Sequence, residues 1–186
     1  MGGADKATLP VGGRSVLDRQ LDVLRALTPH LMIVSRDGQS YRHRGVTEVA
    51  DAVTGVGPLG GVYTALTKAR TTLVLVVACD MPFLSAPLRE ALVAAGAGGD
   101  VAVPCDDRGW HPLCACYQTH VAGQLRACIE TGVLAVRAAI APLAVREIGP
   151  DTVRSLDTSG RALWNVNTPE DYARTCAVAD GAPPLA

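Results

Sequence analysis

Two carboxylates and one lysine are the residues of this sequence best suited to phosphate chemistry. Asp80 follows the apolar run 73–79, and Asp51 follows the apolar run 46–50. Mg²⁺ binds one or two carboxylates and takes its remaining ligands from nucleotide phosphates and water. Lys6 lies in a glycine-rich opening, where backbone N–H groups and an ammonium group suit a polyphosphate. We expect Asp80 to bind Mg²⁺ and Asp51 to reach the same crevice, although each residue alone also fits a turn or surface role.

Three further polar residues form a second group. Asn165 and Asn167 alternate on an extended segment, so both can face one polar pocket. His111 begins a predicted strand after the turn at 106–109, a position that also suits an ordinary surface histidine. The neighbouring run 168–171 has the form of a helix capping box with proline at the first helical position, which requires no functional explanation.

The glycine run 55–60 matches the dinucleotide-binding pattern G-x-G-x-x-G. It follows a predicted strand and precedes a predicted helix, and Asp80 lies near the position of the ribose-binding acid. However, residues 51–54 separate the strand from the first glycine, and no second mononucleotide-binding half follows. The alternative is a glycine-rich turn at a helix N-terminus, which would still attract an anion.

Apolar periodicity predicts alternating helices and strands. The predicted helices are 15–27, 59–69, 85–95, 121–130, 135–140 and one opened by 168–171; the predicted strands are 31–35, 46–50, 73–79, 101–104, 113–118 and 143–148. This alternation predicts a three-layer α/β fold (αβα) with a mostly parallel sheet. The continuous apolar run 73–79 is typical of a strand buried on both faces of such a sheet. Ligands bind beyond the carboxyl ends of the strands, where Ser35, Asp51 and Asp80 lie.

Length, charge and cysteine content narrow the function classes. The 186 residues predict one domain over 1–178 and a flexible tail over 179–186. A net charge of -1 without a basic patch argues against nucleic acid or an anionic membrane as partner. We find no membrane-spanning run and no signal peptide. The six cysteines contain no C-x-x-C pair, which favours reduced, mostly buried thiols in a cytoplasmic protein.

Five segments occur in a fixed order along nearly the whole chain. They are Met1–Lys6 with Leu9, Pro10 and Gly13; Asp51 followed by Gly57–Gly61; Cys79–Phe83; His111–Leu113 through Tyr117; and Asn165–Asp171. Together they resemble the molybdenum cofactor guanylyltransferase (MobA) family of nucleotidyltransferases. Each segment alone is a weak signal, but five in order are a strong one. The resemblance also replaces the dinucleotide interpretation, because the second segment has its own place in this family.

The resemblance implies a Rossmann-like nucleotidyltransferase fold. It implies transfer of GMP from GTP to the phosphate of molybdopterin carrying molybdenum, with release of pyrophosphate. Asp80 would hold Mg²⁺, and Lys6 would neutralise developing charge on the phosphates. A molybdoenzyme or a cofactor-insertion protein would be a further partner.

The resemblance also divides the remaining candidates between the two substrates. Ser35 and Asp51 would contact the nucleoside, with Asp51 a candidate for reading guanine. His111, Asn165 and Asn167 would line the pterin side. The alternative activities are cytidylyl transfer to the same cofactor and nucleotidyl transfer to another phosphorylated acceptor.

The chain departs from the family pattern in three places. The family's first motif follows an apolar strand, and this chain holds only its second half, from Met1. We expect either a start upstream of Met1, a shortened chain, or a degenerate and inactive homologue. After Gly132, where the family commonly has an arginine thought to meet the pterin, the sequence is Val133–Ala135, with Arg137 further on. Ser35 stands where the family often has asparagine.

Overall fold

The computed structural model describes residues 5–41 and 44–181, which form a mixed α/β fold. Residues 1–4 of the first family-like segment and residues 182–186 of the predicted tail lie outside this description. The helices are α1 (Val16–Arg25), α2 (Pro58–Lys68), α3 (Ala86–Gly96), α4 (Ala122–Glu130), α5 (Val136–Ile140), α6 (Pro150–Leu156) and α7 (Pro169–Ala179), with 3₁₀ turns at Lys6–Thr8 and Thr119–Val121. The strands are β1 (Pro10–Val11), β2 (Arg14–Ser15), β3 (Met32–Ser35), β4 (Thr47–Ala50), β5 (Leu73–Val77), β6 (Val101–Asp106), β7 (Gly109–Trp110), β8 (Cys114–Gln118) and β9 (Val145–Ile148).

Several helices begin where a side chain caps them. The Ser15 hydroxyl accepts the N–H of Asp18 at the start of α1, and Ser85 does the same at the start of α3. At α7, the Thr168 side chain accepts the backbone N–H of Asp171, whose carboxylate accepts the N–H of Thr168. This reciprocal pair confirms the predicted capping box and fixes the chain entering α7.

Strand β8 is the centre of the larger sheet. It runs antiparallel to β5 on one side and to β6 on the other, while β9 pairs parallel with β6. Cys114 and Cys116 point into one core cluster, and Ala115 and Tyr117 point into another. All four are fully buried, as the alternation of side chains along a strand covered on both faces requires.

Helices cover both faces of this sheet. On one face, Leu59 of α2, Leu125 of α4 and Ile140 of α5 pack around Tyr117. On the other, residues of α3 and α6 pack around Cys116, including Leu88. The predicted three-layer α/β class is therefore confirmed.

The run 73–79 packs on both of its faces, as predicted, but the prediction of a mostly parallel sheet is wrong, because only the β3–β4 and β6–β9 pairs of the described strands are parallel. Strand β5 pairs antiparallel with β8, and its side chains are only partly buried. Val74 and Val76 contact one core cluster while Leu75 contacts the other, which explains the continuous apolar pattern. Burial stays partial because, within the described residues, β5 has a strand neighbour on one edge only.

Strands β3 and β4 form a separate parallel pair. Helix α2 contacts both β3 and β5. Helix α1 also reaches both sheets, because Leu21 packs near Ile33 of β3 while the Gln20 amide donates to the carbonyl of Ala78, 2.6 Å away, just after β5. The same two helices therefore tie the two sheets together.

The sequence prediction missed several small features, among them the two-residue strand β7. The β1–β2 hairpin has two residues in each strand, and α6 has seven residues. Both are too short for apolar periodicity to reveal. In the described part of the chain, no helix has the length and apolar character needed to cross a membrane.

Candidate active site

Lys6, Asp80 and Asn167 meet although they are far apart in sequence. The Lys6 ammonium group donates to Asn167 Oδ1 at 2.7 Å and lies 3.9 Å from Asp80 Oδ2. The backbone N–H of Val166 donates to the carbonyl of Asp80 at 2.9 Å, which holds the two segments side by side. The first, third and fifth family-like segments therefore converge at one place.

Asp80 has an unusual electrostatic environment. Burial raises the pKa of its carboxyl group, and the nearby Lys6 opposes this only in part. Its Oδ1 atom is buried without a hydrogen-bond partner in residues 5–41 and 44–181. A carboxylate oxygen in this situation gains by binding a cation, and oxygen ligands of this kind suit Mg²⁺.

The described residues contain no group of three or more histidine, cysteine, aspartate or glutamate side chains arranged to hold a metal. Asp80 alone still fits Mg²⁺, because this ion is commonly held by one or two carboxylates plus substrate phosphates and water.

Asp51 and Ser35 lie together at the carboxyl ends of β4 and β3. The backbone N–H of Asp51 donates to the carbonyl of Ser35 at 2.8 Å. Asp51 Oδ1 accepts from the Thr64 hydroxyl at 2.8 Å and from the N–H of Val53 at 3.2 Å, which anchors the loop before α2. Its second oxygen, Oδ2, makes no hydrogen bond to any other described residue.

The Ser35 hydroxyl is engaged locally. It donates to Glu48 Oε1 at 2.5 Å and accepts the N–H of Gly38 at 2.9 Å. No hydrogen bond or ion pair of the described chain joins Ser35 or Asp51 to Lys6 or Asp80. Ser35 and Asp51 thus lie at the carboxyl ends of the smaller sheet without a direct polar contact to the Lys6–Asp80 cluster.

The glycine run at the start of α2 allows a tight turn at Gly57 and close packing of Gly60 against the preceding loop. Gly57 has φ +64° and precedes α2 without a side-chain cap, Pro58 opens the helix without an N–H, and the N–H of Gly60 donates to the carbonyl of Gly57 at 3.1 Å. A Cβ on Gly60 would lie 2.6 Å from the carbonyl oxygen of Val53, so only glycine fits there without movement. These two roles agree with the glycine-rich turn considered as the alternative to a dinucleotide site.

A cavity of about 420 Å³ adjoins the Lys6–Asp80 cluster. It is lined by Arg108, His111, Arg137, Trp164, Asn165, Asn167, Asp171 and Arg174. The three residues predicted for the pterin side therefore line one cavity. Asn167 belongs to both places, because it lines the cavity and accepts the hydrogen bond from Lys6.

Two of these lining residues have unsatisfied polar atoms. Asn165 Oδ1 is buried without a hydrogen-bond partner among the residues the structure describes. His111 Nε2 lies 2.9 Å from Asp106 Oδ1 but outside hydrogen-bond geometry. A ligand donor in the cavity would satisfy Asn165 Oδ1, whereas His111 Nε2 already faces the Asp106 carboxylate.

Sequence reasoning missed the arginines and the tryptophan of this cavity. The guanidinium carbon of Arg174 lies 4.4 Å from the centre of the Trp164 ring, and that of Arg161 lies 5.9 Å away. The spacing of Arg174 three residues after Asp171 is a usable signal, since both lie on one helix face. For Arg137 the sequence offered only its place shortly after the family's arginine position that follows Gly132, and the tertiary packing of α5 brings it to the cavity.

The family model and the individual proteins that match this chain indicate the same family. The model of the MobA-like NTP transferase domain matches residues 1–146. A probable molybdenum cofactor guanylyltransferase from Pelotomaculum thermopropionicum is 33% identical over 96% of this chain and 87% of that protein. A molybdenum cofactor guanylyltransferase from Desulfosudis oleivorans is 29% identical over 93% of this chain and 86% of that protein.

Solved structures agree with this result. Molybdopterin-guanine dinucleotide biosynthesis protein A from Archaeoglobus fulgidus superposes with a TM-score of 0.84 at 25% identity, over 96% of this chain and 92% of that one. The 2-C-methyl-D-erythritol 4-phosphate cytidylyltransferase of Thermus thermophilus has a TM-score of 0.70 at 19% identity, over 94% of each chain. The second likeness shows a shared fold only.

Proposed function

We propose, from the premise that this chain belongs to the MobA-like NTP transferase family, that it transfers GMP from GTP to the phosphate of molybdenum-bearing molybdopterin. The observation that carries the proposal is the meeting of Lys6, Asp80 and Asn167 beside a cavity large enough for a second substrate. The names of the relatives from Pelotomaculum and Desulfosudis support the choice of substrates.

The reaction needs no covalent intermediate on the protein. An oxygen of the acceptor phosphate attacks the α-phosphorus of GTP, the bond from that phosphorus to the bridging oxygen breaks, and pyrophosphate leaves. Because the attacking phosphate is already an anionic nucleophile, catalysis consists of in-line positioning and charge neutralisation. Lys6 supplies a positive charge at the phosphates, and its hydrogen bond to Asn167 fixes the direction of its side chain.

Asp80 is the residue that we propose to hold Mg²⁺. When bound, the ion would neutralise charge on the phosphate oxygens. The unpartnered Oδ1 atom and the raised pKa of Asp80 support this assignment, because both reflect a buried carboxylate that lacks sufficient positive charge nearby.

Asp51 is the residue that we propose to recognise guanine. Its Oδ1 is anchored by Thr64 and Val53, which fixes the carboxylate and leaves Oδ2 as an acceptor. The Watson–Crick edge of guanine presents adjacent N–H donors, which a carboxylate accepts well. The Ser35 hydroxyl is committed to Glu48, so we propose that Ser35 supports the nucleoside side through the local turn.

The acceptor would occupy the cavity lined by His111, Asn165 and Asn167. We also propose a cytoplasmic location, which the six free thiols support because disulfides are rare in reducing compartments. A molybdoenzyme or a cofactor-insertion protein would receive the product.

The test is a direct comparison of nucleotides. The protein is incubated with Mg²⁺, molybdate-loaded molybdopterin and either GTP or CTP, and both pyrophosphate and the dinucleotide product are measured. We expect product with GTP and little with CTP. A preference for CTP would instead support the cytidylyltransferase alternative. Absence of Mg²⁺-dependent binding of either nucleotide would support the inactive-homologue alternative.

A further inference from the structure

The cavity contains three arginines, but two of them already have carboxylate partners. Arg108 Nη2 lies 3.0 Å from Asp106 Oδ2, and Arg174 Nη2 lies 3.6 Å from Asp171 Oδ1. Although burial opposes it, the neighbouring His111 and Arg108 hold the pKa of Asp106 below its ordinary value, so this carboxylate is charged at neutral pH. These two arginines therefore contribute little net charge to the cavity.

Arg137 is different, because no carboxylate of the described chain lies within 4 Å of its guanidinium group. Its Nε–H donates to the carbonyl of Trp110 at 2.8 Å. Its Nη1 lies close above Gly109, where an added Cβ would be 3.4 Å away. One hydrogen bond thus anchors the guanidinium group of this exposed residue, while its two terminal NH₂ groups make no hydrogen bond to the described residues.

This arrangement suits one class of ligand group. An arginine fork with two free NH₂ groups matches the oxygens of a phosphate in a bidentate contact. The fork also lies in the cavity that Asn167 connects to the Lys6–Asp80 cluster. A phosphate bound by Arg137 would therefore lie in the cavity that adjoins the Lys6–Asp80 cluster.

We propose that Arg137 binds the phosphate monoester of the acceptor and orients it for attack, an inference that rests on the function proposed above. Arg108 and Arg174 shape the cavity and stay paired with Asp106 and Asp171. The neighbouring Val133 and Leu134 do not line the cavity and are 40% and 39% exposed. The cation for the acceptor thus comes from α5, not from the loop that precedes it.

The kinetic test uses Arg137→Gln, with Arg126→Gln as matched control. Arg126 is an exposed arginine outside the cavity, paired with Glu130. Loss of a charge-assisted contact predicts a KM for the acceptor that rises roughly ten- to hundredfold in Arg137→Gln. The Kd for Mg²⁺-GTP should stay within about twofold of wild type. An unchanged acceptor KM, or an equal loss of GTP affinity, would overturn the proposal.

A binding test separates this inference from the proposed function. Inorganic phosphate is titrated into the protein while the arginine Nε–H resonances are followed by NMR, and the resonance absent from Arg137→Gln identifies Arg137. We expect that resonance to shift with phosphate, whether or not the protein transfers GMP. If it does not shift, the proposal fails even when turnover is observed. If it shifts but no pyrophosphate is ever released, only the proposed function fails.

The Arg137→Lys variant tests whether a higher acceptor KM in Arg137→Gln reflects misfolding rather than loss of the contact. It keeps the charge but not the fork, so we expect an acceptor KM between those of wild type and Arg137→Gln. Equal KM values for the lysine and glutamine variants, with thermal unfolding unchanged in both, would contradict a role in phosphate binding through charge.

Discussion

The buried and charged carboxylate of Asp80 lowers the stability of the folded protein when no cation is bound. Burial raises its pKa above the ordinary value of 3.8, and Lys6 compensates only partly. For a carboxyl group, a raised pKa means that the folded protein holds the proton more tightly than the unfolded chain does. The free energy of unfolding therefore falls as pH rises from about the ordinary value through the raised one.

Replacement of Asp80 by Asn should therefore lower activity without lowering the stability of the folded protein. At pH 7 without Mg²⁺, we expect the free energy of unfolding of Asp80→Asn to equal or exceed that of wild type. The difference between the two proteins should vanish below about pH 4. Turnover should fall on the order of a hundredfold or more, because the proposed metal ligand is lost. Urea unfolding at several pH values and the pyrophosphate assay measure the two effects.

The exposed Asp107 provides the control, since Asp107→Asn changes an identical functional group in a turn. It should leave turnover unaltered. Near-normal turnover of Asp80→Asn would remove Asp80 from the proposed mechanism.

At the scale of single residues, the sequence allowed prediction of some of the site. The residues Lys6, Asp80 and Asn167 are candidates from their types and from the family resemblance, and the structure brings them together. The cavity arginines were not predictable. Arg137 is separated from the hairpin it contacts by 27 positions, and nothing in its local pattern distinguishes it from a solvated surface arginine.

Helix α2 shows how one element depends on a single glycine. Gly60 packs against the loop that Asp51 anchors, and a Cβ there would meet the Val53 carbonyl oxygen at 2.6 Å and Val56 Cγ2 at 2.8 Å. The adjacent Gly61 lies on the same helix, but an added Cβ would meet nothing within 4 Å. An added methyl group would therefore overlap with its neighbours at Gly60 but would meet open space at Gly61.

We expect Gly60→Ala to lower the free energy of unfolding by about 1–3 kcal/mol through steric overlap. Gly61→Ala should raise it by roughly 0.5–1 kcal/mol, because alanine favours the helix and restricts the unfolded chain. Chemical denaturation of both variants checks the pair. Equal effects in the two variants would show that the packing of Gly60 against the loop is not what selects glycine.

At the scale of elements, the sequence largely predicted which helices and strands exist, whereas it did not predict how the strands pair. Each predicted helix and strand is present, with ends within two residues of the prediction. Apolar periodicity reports which face of an element is buried, so it locates β8 correctly. It does not report strand direction, because Cys114–Gln118 would show the same pattern running parallel or antiparallel to its neighbours.

Besides the short β1–β2 hairpin, the described residues form two sheets of unequal size that contact the same helices. Strand β8 is hydrogen-bonded on both edges, whereas β3 pairs only with β4 in the described structure. The side chains of β3 are also only partly buried, in contrast to the fully buried Cys114–Tyr117. Local opening requires less free energy where fewer backbone and apolar contacts must be broken.

Hydrogen exchange should reveal this difference. We expect backbone amides of β3 and β4 to exchange at least tenfold faster than those of β8, since the smaller sheet can open without unfolding the larger one. Exchange measured by mass spectrometry on peptides covering 31–36 and 113–118 makes the comparison. Equal protection of the two peptides would mean that both sheets open as one cooperative unit.

Of the two tryptophans of this chain, Trp164 lines the candidate acceptor cavity, and Trp110 contacts Arg137, which also lines it. Trp110 accepts a hydrogen bond from Arg137 through its carbonyl and donates one to Glu147 through its indole N–H, while the ring of Trp164 faces Arg174. Indole emission depends on nearby charges and on exposure to water. The protein therefore carries an intrinsic optical reporter for occupancy of the cavity, and acceptor binding can be followed by fluorescence without any attached label.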